Sequence, residues 1–486
     1  MNRRFKFIER EFMIDPDLKI DSKDIKRIVN GRLNADLSER RDYMRYKVFK
    51  TAAIAAAITA VFSITAFAVS PAGQEAIGKV ISYFESDRAV EITSIDELSK
   101  YNEEIGTSAS RNGYTFTLDN VAADDNFVHV FYTLTCEEPI DNGMYRPFSP
   151  LYMDCRINGF MRTGNHSTED GYFVDDHTWK GVYKYNISTM EVPDTFKLEL
   201  YTEFADENGE YALDGEYLYQ DYLELTDADK EKLLYVSAEI DKSAVRVATK
   251  TVEINKAFEA NNCVIDRVIF SPFGNQLMLT TMGNEHSDIY RVDQFALCDE
   301  NGKFLDVLNT DLAFYSDRES SNSFEFLKAD ADTEKMSIVP VIFNEPEGDV
   351  GCEKQQIGTY PMTFEVSSNG KVVVTDIRIS DGRVDIDYYK DGFVMYDPGF
   401  RLVDDIGNNA EPGGKLGCML KTTVHYDTDS YTVSYIYDLR DENGAPIPAG
   451  EEVSAEAITE KFTTLEVYRQ DYIWLDYDNA VTVDLK

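Results

Sequence analysis

A chain of 486 residues exceeds what one hydrophobic core serves, so several domains are expected. Aliphatic and aromatic residues make up 43%, which excludes a largely disordered chain, and 30 Tyr and 28 Phe against 2 Trp suit strands that bury rings. The formal charge of −40 is uneven: residues 1–50 hold 14 basic and 9 acidic side chains, residues 51–486 hold 34 and 79. An acidic body of this kind is excluded from binding nucleic acid or anionic lipid by simple Coulomb attraction.

Residues 1–47 form a basic tail with one amphipathic helix. Ser22 caps it, and Ile25, Ile28, Val29 and Leu33 recur at helical spacing among Lys23, Lys26, Arg27 and Arg32. The tail is too short to bury a core of its own. Two roles fit: a solvated segment whose cations set topology and touch anionic lipid, or a helix that orders on a cytoplasmic partner and offers it the apolar stripe. No Cys or His precedes residue 129, which excludes a zinc-type domain here.

Between Lys50 and Glu75 runs a long uncharged apolar stretch, read as a transmembrane helix over residues 48–70. Twenty such residues rise about 30 Å as a helix, one bilayer core. Arg40, Arg41, Arg45, Lys47 and Lys50 precede it, whereas Lys79 and Arg88 follow, so the N-terminus is expected inside and the acidic body outside. Ala66-Phe67-Ala68 offers the competing reading, a signal-peptidase site. The basic region before it far exceeds the about 15–30 residues of a whole signal peptide.

Residues 71–107 read as a juxtamembrane helical segment. Pro71 follows Ser70 in a first turn, Ile77, Val80, Ile81 and Phe84 share a helical face, and Ser94-Ile95-Asp96-Glu97 is a capping box. From about Tyr114 the period becomes 2: Val128, Val130, Tyr132 and Leu134 lie on one strand face, as do Val372 and Val374, and Val384, Ile386 and Tyr388.

An internal repeat orders these strands. Thr117-Leu118-Asp119-Asn120-Val121 before Val128-His129-Val130 resembles Val264-Ile265-Asp266-Arg267-Val268 before Leu277-Met278-Leu279, and Val374-Thr375-Asp376-Ile377 before Val384-Asp385-Ile386 is a looser copy. The fold class expected is therefore mainly β, with three tandem immunoglobulin-like β-sandwiches at residues 108–245, 246–366 and 367–486. Asp-Glu-Asn-Gly at residues 206–209, 299–302 and 441–444 reads as hairpin turns, because Asn-Gly supplies positive φ and no distant Glu closes a calcium loop.

No enzyme is expected. The histidines, His129, His166, His177, His286 and His425, are scattered without a metal or nucleophile motif, and no catalytic, cofactor-binding or metal-ligating residue is assigned. The six cysteines also lack metal spacing. Cys136 with Cys155 and Cys263 with Cys298 are conceivable bridges, and buried free thiols are an equal alternative.

Three stretches resemble a family of Gram-positive membrane proteins with a domain of unknown function, often encoded beside extracytoplasmic-function sigma factors. They are the span running into Ser70-Pro71-Ala72-Gly73 and Tyr83-Phe84; Gly113 through Asp119 with Asp124-Asp125-Asn126-Phe127 through Tyr132; and Thr251 through Lys256 leading to Phe270-Ser271-Pro272. The resemblance implies an anti-sigma-like sensor or regulator whose outer domains read the envelope and whose tail holds a sigma factor; the helical stripe Ile25, Ile28, Val29 and Leu33 is then the expected cytoplasmic contact, and the extracellular ligand is unidentified. The alternative is an adhesive or carbohydrate-binding surface protein, since Tyr211, Tyr217, Tyr219, Tyr222, Tyr468, Tyr472 and Tyr477 offer rings that stack on sugars.

Overall fold

The computed structural model describes residues 101–140, 151, 153–161, 167–204, 222–281, 294–316, 319–327, 333–344, 350–395, 398–403, 416–425, 428–439, 454–461 and 463–486. The basic tail and the expected span at residues 48–70 lie outside them. Among the described residues no helix is long and apolar enough to cross a membrane. The chain is mainly β and all strand pairs are antiparallel; α-helix among the described residues is confined to α1 (Asp227–Lys230) and α2 (Ala455–Lys461).

The first unit holds β1 (Asn102–Arg111), β2 (Tyr114–Ala123), β3 (Phe127–Cys136), β4 (Asp154–Ile157), β5 (Ser167–Asp175), β6 (Thr178–Asn186), β7 (Thr195–Thr202) and β8 (Leu234–Asp241). Five strands form one sheet in the order β1-β2-β3-β6-β5, and three form another in the order β4-β7-β8. Alternation explains the core between them. Val128, Val130, Tyr132 and Leu134 of β3 all point inward, to meet Leu198 and Leu200 of β7 and Val236 of β8. Each such side chain contributes roughly 1.5–3 kcal/mol when buried. Trp179 lies in this core across the facing Gly171 and Gly181, where a Cβ would come within 2.5 Å of its indole or of the Tyr132 hydroxyl.

The expected helical segment at residues 71–107 is corrected at its end, because β1 already begins at Asn102. Its small and polar residues Thr107, Ser108 and Ser110 carry no strong β pattern, and pairing with β2 is what makes it a strand.

The second unit begins with β9 (Lys250–Phe258), β10 (Cys263–Phe270), β11 (Asn275–Thr281), β12 (Phe295–Asp299), β13 (Phe304–Leu305), β14 (Val307–Ser316), β15 (Glu319–Phe326) and β16 (Lys335–Phe343). The third holds β17 (Cys352–Gln356), β18 (Met362–Glu365), β19 (Gly370–Ser380), β20 (Arg383–Gly392), β21 (Phe400–Val403), β22 (Leu416–His425), β23 (Ser430–Leu439) and β24 (Thr464–Tyr468), after which the chain returns as β25 (Ile473–Leu475) and β26 (Val481–Asp484).

All three units share one plan. The large sheets run β9-β10-β11-β15-β14 and β18-β19-β20-β23-β22, matching the first unit strand for strand, and the small sheets contain β12-β16-β26 and β21-β24-β17. In the first unit the last strand, β8, follows its partner β7 in sequence. The second and third units exchange that strand. β17, which follows β16, pairs with β24 of the third unit, and β26, which follows β24, returns to pair with β16 of the second. Division at residue 366 is therefore corrected: the second unit needs the last strand of the chain, whose Val483 and Leu485 enter its core beside Met336 and Ile338. The third takes β17 and β18, from before residue 367.

The repeat seen in the sequence is a β-bulge. Pairing shifts register at Asp119 between β2 and β3, at Asp266 between β10 and β11, and at Thr375 between β19 and β20.

Candidate functional site

The stripe Ile25, Ile28, Val29 and Leu33 lies outside the described residues, as do two of the three Asp-Glu-Asn-Gly segments. The third is a turn: Asp299 Oδ1 accepts from the Asn301 and Lys303 amides at 2.8 Å, and Gly302 has φ +81°. Neither conceivable disulfide forms, for Cys136, Cys155, Cys263 and Cys298 are free thiols. Burial pushes the Cys155 and Cys263 thiols far up, so they stay protonated and unreactive. Among the described residues no three His, Cys, Asp or Glu side chains group to hold a metal. His177 Nδ1 bonds the Cys136 carbonyl and His425 Nε2 the Thr432 hydroxyl.

Two of the resembling stretches meet. The turn between β2 and β3 docks on the turn between β10 and β11: Asn126 Nδ2 donates to the carbonyls of Ile269 and Gly274 and to Ser271 Oγ, and Asp124 Oδ2 accepts from the Phe273 amide at 3.0 Å. Asp124 Oδ1 also accepts from its own turn, from Asn126 and Phe127. Burial pushes the Asp124 carboxyl up to about 6 against those hydrogen bonds. Alongside, Lys184 of β6 pairs with Glu325 of β15 at 2.5 Å, both almost wholly buried, with the Phe127 ring 4.1 Å from the ammonium. His129, opposite Lys184 in register, is fully buried against Phe273, and neither ring nitrogen has a partner among the described residues. Burial, and then the Lys184 charge, hold it well below the ordinary histidine range.

A second junction, between the exchanged units, encloses a cleft of about 280 Å³. Phe304, Leu305, Asp306 and Leu327 line it together with Lys390, Asp391 and Asp429. Within it Asp306 Oδ2 accepts from the Tyr431 hydroxyl and is ion-paired with Lys390 Nζ at 2.9 Å. The Lys390 side chain is only 9% exposed. Tyr431 stacks on Tyr388 and sits 5.1 Å from the ammonium; burial and the Asp306 carboxylate push its phenol far up, so it remains a donor. At the rim Lys303 Nζ meets Asp429 at 2.8 Å. Asp306 Oδ1 carries no bond to a described residue.

Tyr431 and Lys390 thus converge on a single oxygen of the Asp306 carboxylate. Sequence reading missed it, since Asp306, Lys390 and Tyr431 lie far apart along the chain and follow no motif. The Asp124 and Asn126 turn was visible there only as part of the family resemblance.

The described residues thus define a chain of antiparallel two-sheet units with polar junctions. A family model described as a domain of unknown function (DUF4179) matches residues 44–135, from the basic flank to the end of β3. No curated protein matches the chain. A solved structure described as the crystal structure of the conserved domain protein from Bacillus anthracis is similar over 57% of this chain and 88% of its own, at 12% identity and a TM-score of 0.36.

Proposed function

We propose that the chain is a membrane-anchored regulator: residues 48–70 span the membrane, the β units are immunoglobulin-like receptor domains outside, and Ile25, Ile28, Val29 and Leu33 contact a sigma factor inside. The supporting observation is the extent of the family match, residues 44–135, which joins the basic flank, the apolar stretch and the first three strands in one unit. The first junction supports the reading as well. Its turn-to-turn hydrogen bonds and the Lys184–Glu325 pair couple the second unit to the one that follows the apolar stretch. The cleft between the second and third units is the receptor site in this reading, for ligand sites concentrate between domains.

Two measurements test it. Protease added to wall-free cells removes the acidic body and leaves a membrane-bound fragment ending shortly after Ser70; protection of the body rejects the topology. A peptide of residues 1–48 retains a soluble sigma factor, and the Ile28→Asp, Val29→Asp double variant weakens retention more than tenfold. Burial of each stripe residue is worth roughly 1.5–3 kcal/mol, of which ordering the tail offsets part. Equal retention by both peptides, or by neither, rejects the contact.

A further inference from the structure

We infer that the first junction is a joint that opens: the interlocked second and third units turn as one body against the first, about the connector residues Ala248 and Thr249. The inference goes beyond the regulator reading and needs neither the sigma factor nor the membrane span.

The two junctions are built differently. Between the second and third units β16 pairs with β26 and β17 with β24, so parting them breaks backbone ladders. Among the described residues no ladder crosses the first junction, because no sheet draws strands from both units. Side chains hold it instead. Besides the bonds of Asn126 and Asp124 and the Lys184–Glu325 pair, Asn186 Nδ2 donates to Ser323 Oγ at 2.9 Å, and the Arg267 guanidinium donates to the Ser188 carbonyl at 3.2 Å. Contacts of this kind, between units of one chain, permit relative motion.

Closure also leaves polar atoms without partners. His129 stands opposite Lys184 in register and Gln276 opposite Glu325, so each unit flanks the ion pair with one further side chain. Both are fully buried, and neither the two ring nitrogens of His129 nor the two amide atoms of Gln276 meet a partner among the described residues; Asn126 Oδ1, also buried, is in the same state. Bare or bridged by a trapped water, such atoms gain by release to bulk solvent. Burial of Phe127 and Phe273 pulls the other way, towards closure. Opposed terms of this kind keep an open state within reach of the closed one.

The connector shows where the turn occurs. Lys242 pairs with Asp125 and Arg246 with Asp194, both in the first unit, the latter at 2.6 Å, whereas Lys250 donates to the Leu485 carbonyl of the second. Ala248 and Thr249 lie between these attachments, just after the single 3-10 turn Val245–Val247. A change of φ and ψ at two such residues swings a whole body.

Hydrogen exchange of the full chain in detergent micelles reads the joint directly, because the Phe273 amide is bonded across it to Asp124 Oδ2. That amide is expected to exchange at least about 100-fold faster than the slowest amides of β16 and β26. Asn126→Ala removes bonds made only across the junction and speeds Phe273 exchange at least about fivefold, while Gln276→Leu removes two atoms without partners and slows it at least about fivefold, both with β16 unchanged. Neutron scattering with the micelles matched out gives a larger radius of gyration for Asn126→Ala than for Gln276→Leu. Should Gln276→Leu fail to fold, Asn126→Ala is compared with the wild type. Phe273 exchange as slow as that of β16, exchange unchanged in the folded variants, or acceleration shared equally by β16 overturns the inference. Equal radii confine the movement to the turn and overturn it as well.

Discussion

Thr133 Oγ1 donates to Asp119 Oδ2 at 2.7 Å, across the bulge that Asp119 creates between β2 and β3. The same bond recurs fourteen residues on from Asp266, where Thr280 Oγ1 donates to Oδ2 at 2.6 Å across the bulge between β10 and β11. A charge-assisted bond of this kind is worth about 1.5–3 kcal/mol. Thr133→Val and Thr280→Val are each expected to destabilise by about that amount, and each in its own unit. Denaturant unfolding followed separately in the two units checks this; a loss below about 0.5 kcal/mol in both would mean the bulge stands without its hydroxyl.

Strand exchange makes a sharper prediction. Expressed alone, residues 246–366 lack the β26 partner of β16, and residues 367–486 lack the β17 partner of β24. Each fragment should be unfolded or aggregated, with an exposed sheet edge. Co-expressed, the two should purify together as a folded complex. A monomeric fragment 246–366 with a sharp thermal transition would contradict the exchange.

The buried pair at the first junction predicts an asymmetry between single and double change. Lys184→Met removes the ammonium that faces the buried Glu325 carboxylate, in a site where both side chains are 5% exposed or less, which costs about 3–5 kcal/mol. Adding Glu325→Leu should recover most of that loss, because the pair's own desolvation offsets its attraction. Melting temperatures of wild type, the two single variants and the double variant close the cycle. A double variant as unstable as Lys184→Met alone would show that the pair contributes net stability.

Acid acts on two groups at the same junction with opposite sign. His129 is held below its ordinary range, so only the unfolded chain takes up its proton as pH falls through about 6.5, and stability is lost from there downward. Asp124 is raised to about 6, so the native state takes up its proton first and stability is gained between about 6 and the ordinary aspartate range. His129→Leu removes the first effect and spares the second. The variant should be about 1–3 kcal/mol more stable at pH 8, since two unpaired buried nitrogens are gone. Its advantage should widen by up to about 1.4 kcal/mol per unit as pH falls from 6.5. Chemical denaturation at pH 8, 6.5 and 5 gives the three values. A constant difference would place the titration elsewhere.

Local pattern determined the local structure. Alternation at Val128, Val130, Tyr132 and Leu134, and again at Val384, Ile386 and Tyr388, marks strands whose inward faces are the cores, because a strand alternates its side chains whatever it pairs with. The recurrence of Leu118-Asp119 and Ile265-Asp266 likewise records a local requirement, an extra residue at a bulge. Lengths of pattern also implied several mainly β units. Only tertiary structure decided which sheet receives the last strand. β17 and β26 are short, and backbone hydrogen bonds accept any strand of suitable alternation, so nothing in Cys352–Gln356 or Val481–Asp484 names its partner. The cleft shares that origin. Asp306, Lys390 and Tyr431 become neighbours because the two units are locked side by side, and no spacing along the chain encodes their 2.9 Å ion pair or the hydroxyl beside it.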